Sequence, residues 1–402
     1  MPVRILMFGW EFPPHNSGGL GTACFGLTRA LARADTLITF VLPKRVNAGA
    51  DWLRMCFADL PEAIGRGITA YLYPYITSEN YARERKGLPP VYGLNLIDEV
   101  RRYGLLAGEI AASESFDIIH AHDWLSFPAG LAARRVSGKP LVVHVHATEF
   151  DRTGGTGISE EVYKIEQEGM RQANAVVAVS QRTKNMIVRH YGIPPEKVTV
   201  VHNGIEAADH RPLPDRLVAL KRAGEKVVLF VGRITLQKGP DYFVRAAKRV
   251  LELEPKVYFI IAGSGDMEGQ VLREAAALGI ADRVIFTGFV RGAELDALYQ
   301  SADLYVLPSV SEPFGITPLE SLINGTPVII SYQSGVAEVL RHALKVDFWD
   351  TEELANQIIT VLRHPPLHKT LKQYGGAEVH QVTWTAAAEK CLNLYRSLLT
   401  PA

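Results

Sequence analysis

The chain has 402 residues, 47% of them hydrophobic, more than one ordinary core accommodates, so two domains of roughly 200 residues each are expected. Lys plus Arg and Asp plus Glu both total 43, so nothing global argues for nucleic acid or an anionic membrane surface, and a small or neutral partner is expected. Cys24, Cys56 and Cys391 lie far apart without CxxC spacing, which supports neither a disulfide framework nor a cysteine zinc cluster; with no signal-peptide pattern and no membrane-length apolar run, a soluble cytoplasmic protein is expected.

Positions 3–9 read as a short buried strand and 22–33 as an amphipathic helix carrying Phe25, Leu27 and Leu31. Between them lies WEFPPHNSGGLG. A strand, a glycine-rich turn and a helix N-terminus is an arrangement that cradles phosphate, with Gly18, Gly19 and Gly21 letting backbone approach a ligand. It is neither GxGxxG nor a Walker loop, and a plain loop closing a βα unit fits it too. A strand at 36–42 follows, then 44–93, which carries no organising pattern. Tyr71, Tyr73, Tyr75 and Tyr81 in that region read as packing aromatics ahead of a sugar-stacking platform.

The pattern is helical over 94–112, and a strand over 116–120 leads into Ala121-His122-Asp123-Trp124. A second strand, 140–145, ends in His144-Val145-His146 and a Gly/Thr-rich loop to Gly157. In open α/β sheets ligands sit at the carboxyl ends of strands, which favours function for these residues. Alternation puts His144 and His146 on one face. A zinc site built from them and a nearby carboxylate lacks a third ligand at recognisable spacing, and there is no HExxH; histidines satisfied by backbone in a core are the competing reading. Strands at 175–179 and 197–201 complete the first series.

A polar, proline-containing segment at 206–225 reads as a linker, after which the series restarts with a strand at 226–231. The loop GRITLQKG then places Arg233 and Lys238 five residues apart before a helix to position 253. Lys as a point charge and Arg as a planar fork suit a diphosphate, although both also serve as ordinary solvated charges. Strands at 256–261, 284–286 and 303–307 follow, the last feeding SVSEPFGITPLESLINGTPVII. Here Glu312 and Glu320 flank a helix start: Thr317 suits an N-cap, Pro318 the first turn, and Glu320 the third position of a capping box. The backbone amides of the loop 313–316, which holds a glycine, can then point together into the positive end of that helix, a place that attracts phosphate. Alternating strands and helices in both halves predict an α/β protein of two Rossmann-like, doubly wound parallel sheets facing a cleft. The expected domains are 1–205 and 206–383, with a terminal helix at 384–399 packing back on the first.

SGGLG, HAHDW, VVHVH, GRITLQKG and SEPFGITPLE occur in an order and spacing that resemble retaining glycosyltransferases of the GT-B fold, and HAHDW beside WEFPPHNSGGLG is most similar to glycogen and starch synthases. The resemblance spans nearly the whole chain except 44–93. It implies transfer of a glucosyl unit from ADP- or UDP-glucose to the non-reducing end of an α-1,4-glucan, without a cofactor or metal. It implies that Arg233 and Lys238 neutralise the donor diphosphate, with Gly18, Gly19, Phe314, Gly315, Ile316 and Thr317 around the phosphates. By the same resemblance Glu312 faces the sugar hydroxyls, Glu320 clamps the ribose, the His146 carbonyl lies under the sugar, and Asp123 sits towards the acceptor. One departure is the absence of a lysine two residues before Gly18, where longer bacterial glucan synthases carry Lys-x-Gly-Gly-Leu. Retaining enzymes that make sucrose, trehalose, maltose 1-phosphate or mannosides share the C-terminal motifs, so a small sugar acceptor is the alternative. A nucleotide-binding oxidoreductase or non-catalytic module is the distant rival, opposed by the missing GxGxxG.

Overall fold

The computed structural model describes residues 2–15, 18–59, 96–206, 218 and 221–400. The chain folds into two compact units, one made of Met1–Glu149, Ile158–Gly204 and Trp384–Ala402, the other of Phe150–Gly157 with Ile205–Thr383.

In the first unit the strands are β1 (Val3–Phe8), β2 (Thr36–Leu42), β3 (Arg54–Phe57), β4 (Ile118–His122), β5 (Leu141–Val145), β6 (Ala175–Ala178) and β7 (Val198–Val200). They form a parallel sheet in the order β3-β2-β1-β4-β5-β6-β7. Every residue of β4 and β5 is buried, as expected of central strands covered on both faces by helices. Because β1 pairs with β2 on one side and β4 on the other, strand order reverses between β1 and β4. A crevice therefore opens outside their carboxyl ends, where the loops after Phe8 and His122 lie.

The second unit repeats that plan with β8 (Lys226–Val231), β9 (Val257–Ala262), β10 (Val284–Gly288), β11 (Leu304–Leu307), β12 (Val328–Ser331) and β13 (Leu344–Val346) in the order β10-β9-β8-β11-β12-β13. Its reversal lies between β8 and β11. The loops that leave those strands carry Arg233 and Glu312. The loops after β8 and β9 come unusually close, since a Cβ on Gly263 would stand 1.9 Å from the carbonyl oxygen of Gly232. Gly263 also has φ 147°, so any side chain there both clashes and strains the backbone.

The helix Trp384–Leu399 belongs to the first unit and crosses the helix Gly19–Arg33. Gly26 makes the crossing possible: a Cβ there would lie 2.2 Å from the Trp384 ring. Farther along, Tyr395 is fully buried and reaches His120 of β4.

Several elements differ from the sequence expectation. The helix expected at 22–33 begins at Gly19, so Gly19 and Gly21 lie in its first turn. The strand expected at 116–120 begins at Ile118 and runs to His122, so His122 as well as His120 lies inside it, their rings stacked with centroids 4.4 Å apart. The unorganised stretch 44–93 contributes β3; its tyrosines Tyr71, Tyr73, Tyr75 and Tyr81 lie outside the described residues. Residues 150–157 fall within the expected first domain but pack with the second unit, where Asp151 accepts a 2.6 Å hydrogen bond from the Ser311 hydroxyl and Gly154 lies against Leu236 and Val310.

Candidate active site

In the second unit, the loop after β8 turns through the 3-10 segment Leu236–Lys238 before the helix Pro240–Leu253. The Gln237 carbonyl accepts the Val310 amide at 2.9 Å, tying this loop to the one that follows β11. That tie sets Lys238 beside Glu312. Their side chains form an ion pair with only 16% and 7% of the side-chain surface exposed. Ser309 donates to the same Glu312 oxygen at 3.2 Å, while the Glu312 backbone bridges to the Gln333–Gly335 segment through its amide and carbonyl. Glu312 is thus held at both backbone and side chain. Arg233, partly exposed at the same strand end, donates to Gln237 at 3.0 Å.

Gly315 follows with φ 100°, a conformation that disfavours any side chain, and a Cβ there would stand 3.1 Å from Cγ of Glu312, closer than ordinary contact. The seven-residue helix Thr317–Ile323 starts just beyond, with Pro318 in its first turn. The expected capping box does not form. Ile316 occupies the N-cap, and both polar groups of the box are claimed by buried tyrosines. The Tyr305 hydroxyl lies 2.8 Å from the Thr317 hydroxyl, and Tyr299 donates to the Glu320 carboxylate at 2.9 Å. Glu320 keeps partial solvent access, yet the protein packed around it raises its pKa by desolvation, a shift opposed by the Tyr299 hydrogen bond and assisted by Asp296. Phe314 is buried and its carbonyl accepts the Val336 amide at 2.7 Å.

In the first unit, Gly18 is the extended N-cap of the helix Gly19–Arg33. A Cβ on Gly19 would meet nothing within 4 Å, so protein packing does not require glycine there. The Gly21 amide donates at 2.9 Å to Glu11, a buried carboxylate that fixes the turn. Asp123, immediately after β4, is buried with φ 60°, in the left-handed region that Asp tolerates better than most residues. Its Oδ1 accepts the amides of His146 at 2.6 Å and Ala147 at 3.3 Å. Asp123 is therefore engaged in shaping the turn that carries His146.

His146 in turn lies 2.9 Å from His122 and stacks on His144 with ring centroids 4.2 Å apart. Burial pushes His146 down to about 3, and the same burial, aided by the neighbouring histidines, lowers His120 to about 3 and His122 and His144 well below the ordinary range. All four imidazoles are neutral at physiological pH.

Each unit thus gathers its own subset of the residues singled out by sequence. Arg233, Lys238, Glu312, Phe314, Gly315, Ile316, Thr317 and Glu320 share the β8/β11 strand ends, while Asp123 and His146 meet beyond β4 and β5, and Gly18 and Gly19 lie beyond β1. Sequence reading misses the supporting groups: Tyr299, Tyr305, Ser309, Gln237 and Glu11. The tyrosines and Gln237 lie on strands, helices or turns whose local pattern signals only burial. Ser309 and Glu11 stand inside recognised motifs, where their neighbours carry the signal.

Comparison with known proteins extends across both units. Residues 17–209 match the family model described as Glycosyltransferase Family 4, and residues 215–377 that described as Glycosyl transferases group 1. The chain is 30% identical to an uncharacterized glycosyltransferase of Methanocaldococcus jannaschii over 98% of both chains. It is also 30% identical to a glycogen synthase of Mycobacterium tuberculosis, covering 84% of this chain and 80% of that one. Among solved structures, sucrose-phosphate synthase from Thermosynechococcus elongatus superimposes with a TM-score of 0.78 over 98% of this chain and 99% of its own, at 22% identity. Two Rossmann-like parallel sheets, strand-end loops carrying cations and carboxylates, and family matches over both halves lead to one conclusion: the chain belongs to the GT-B glycosyltransferases, with a family 4 N-terminal domain and a group 1 C-terminal domain.

Proposed function

We propose that this glycosyltransferase moves a glucosyl unit, with retention of configuration, from ADP- or UDP-glucose to the non-reducing end of an α-1,4-glucan. The observation that carries the proposal is the buried Lys238–Glu312 ion pair beside Arg233 at the β8/β11 reversal. A lysine and an arginine on one strand-end loop supply two fixed positive charges for a diphosphate, and Glu312 supplies an acceptor for sugar hydroxyls next to them. Charge develops on the diphosphate as the glycosidic bond to the nucleotide breaks. Arg233, Lys238 and the amides from Phe314 to Thr317 stabilise that charge.

In this reading Glu320 accepts from the ribose hydroxyls while Tyr299 orients its carboxylate. The main chain at His146, set by Asp123, presents its carbonyl to the electron-poor anomeric carbon. Asp123 acts through that turn. Neutralisation of the diphosphate falls to the two side chains, so the reaction requires no divalent cation.

The test is nucleotide release from a panel of nucleotide sugars with and without glycogen. Glycogen-dependent release from ADP- or UDP-glucose supports the reading, and chain-lengthened product with α linkage completes it. Release that needs a small sugar or sugar phosphate, or that uses GDP-mannose, overturns the glucan assignment.

A further inference from the structure

The face of the first unit's sheet under the Trp384–Leu399 helix carries a group of side chains that sugar transfer does not use. His120 and His122 alternate along β4 and point to one face, and His122 pairs in register with His144 on β5. The rings of His120 and His122 lie 4.4 Å apart, those of His120 and His144 5.3 Å, and those of His122 and His144 5.2 Å. One ligand nitrogen from each can be chosen so that all three fall within 4.8 Å of one another. All three residues are 2% exposed or less.

Hydrogen bonding singles out which nitrogens are available. His120 uses Nδ1 towards the Tyr395 hydroxyl at 2.5 Å, and His122 uses Nδ1 towards His146 Nε2 at 2.9 Å. Nε2 of His120, Nε2 of His122 and both nitrogens of His144 have no hydrogen-bond partner. These are four of the eleven buried side-chain polar atoms left so among the described residues, and they share one spot. No choice of tautomer satisfies them, because each orphan is either a buried N–H without an acceptor or a buried lone pair without a donor.

We propose that His120, His122 and His144 form a structural site for a divalent transition metal of the zinc class, bound through Nε2 of His120 and His122 and one ring nitrogen of His144. Three imidazoles suit zinc, and a metal-bound histidine commonly donates its other N–H to a neighbouring group that fixes its tautomer and direction. Tyr395 and His146 stand in that supporting position for His120 and His122. Zn–N bonds of about 2.0–2.1 Å set tetrahedral ligands roughly 3.4 Å apart, so the nitrogens draw together by up to roughly 1.4 Å through rotation of rings that now stack. The Asp123 amide donates to the His144 carbonyl at 2.8 Å, which ties the ends of the two strands that carry the three imidazoles. The site differs from the zinc reading of the sequence, which joined His144 and His146 to a carboxylate. It is also separate from donor diphosphate binding, so metal-independent transfer and a metal-stabilised core are compatible.

Full-length protein purified without metal-affinity steps would be unfolded in guanidinium with EDTA, then refolded with CoCl2, with ZnCl2 or with EDTA alone. The proposal expects about one equivalent of metal per chain, visible Co(II) d–d bands that zinc displaces, and a rise in Tm of about 5–10 °C at a hundredfold excess over Kd. His122→Gln and His144→Gln should each abolish the cobalt bands, and His364→Gln, at an exposed position, should retain them. Should either core variant fail to fold, the wild-type titration still decides. Substoichiometric metal with no shift in Tm overturns the site, and cobalt bands that survive both core substitutions overturn the residues assigned.

Discussion

The Tyr395 hydroxyl, on the last helix of the chain, lies 2.5 Å from Nδ1 of His120 in the middle of β4. A contact between positions 275 residues apart therefore anchors the terminal helix to the centre of the first unit's sheet. Tyr395→Phe leaves a fully buried imidazole nitrogen without its partner and should destabilise the first unit by about 1–3 kcal/mol. Gly26→Ala attacks the same helix from its other end, forcing Trp384 out of its seat, with an expected cost of about 1–3 kcal/mol. Differential scanning calorimetry checks both, read on the transition assigned to the first unit because two units need not melt together. Unchanged melting in both variants would show that the helix is held by other contacts.

Lys238→Met should cost both activity and stability. It leaves Glu312 without its cation, and a buried charge stripped of its partner typically costs about 3–5 kcal/mol. Loss of a charge-stabilising donor should lower kcat about 100-fold or more. Glu312→Gln should retain the fold with turnover reduced as strongly, and the double variant should recover part of the stability lost in Lys238→Met. Wild-type turnover in both single variants would sink the site assignment.

Glu320 yields a prediction whose sign depends on pH. Its folded pKa is raised, chiefly by burial, so its contribution to stability is full below the unfolded carboxylate value of about 4.3 and declines as pH rises through the folded value. Glu320→Gln removes that decline while still accepting from Tyr299. Relative to wild type, the variant's Tm should therefore improve between pH 4 and pH 7, roughly the carboxylate titration range. Donor affinity, measured by calorimetric titration with the nucleotide sugar, should fall about tenfold if the ribose loses a charged acceptor. A Tm difference that is flat across this range, or of opposite slope, would contradict the assignment of burial as the cause.

At Asp123 the prediction separates geometry from charge. Asn tolerates the left-handed backbone and can still accept the His146 amide, so Asp123→Asn should keep most activity. Asp123→Ala leaves two buried amides without that acceptor and strains φ, and should lose about 10- to 100-fold in kcat/KM with a lower Tm. Equal loss in both variants would instead point to a direct role for the negative charge.

Strand-end loops are the most legible part of the sequence because glycine, histidine and charge interrupt apolar runs there. Both sheets and the chemistry-bearing loops after β1, β4, β5, β8 and β11 follow from that alternation. The carboxyl end of β4 escapes such a reading because His122 looks like the polar residue that follows a strand, whereas it lies within it, stacked on His120. Thr317 and Glu320 fit a capping box by spacing, but spacing holds no trace of Tyr299 and Tyr305, which arrive from 21 and 12 residues upstream to take those side chains. The short strands β3 and β13 lie at sheet edges, where a few residues suffice and apolar periodicity is weakest. Nor can local pattern place 150–157 with the second unit, since that depends on Ser311 and on the surface offered by Leu236 and Val310.

That last placement bears on how the protein can be divided. The chain passes from one unit to the other at 149–150, 157–158, 204–205 and 383–384, so no single cut separates them. A fragment ending at position 204 would leave the surface around Gly26 uncovered, and one spanning 205–383 would leave the Ser311 hydroxyl without the Asp151 carboxylate. Exchange of halves between related enzymes, in the laboratory or by recombination, would have to carry two extra pieces across: an eight-residue strap for one half and a terminal helix for the other.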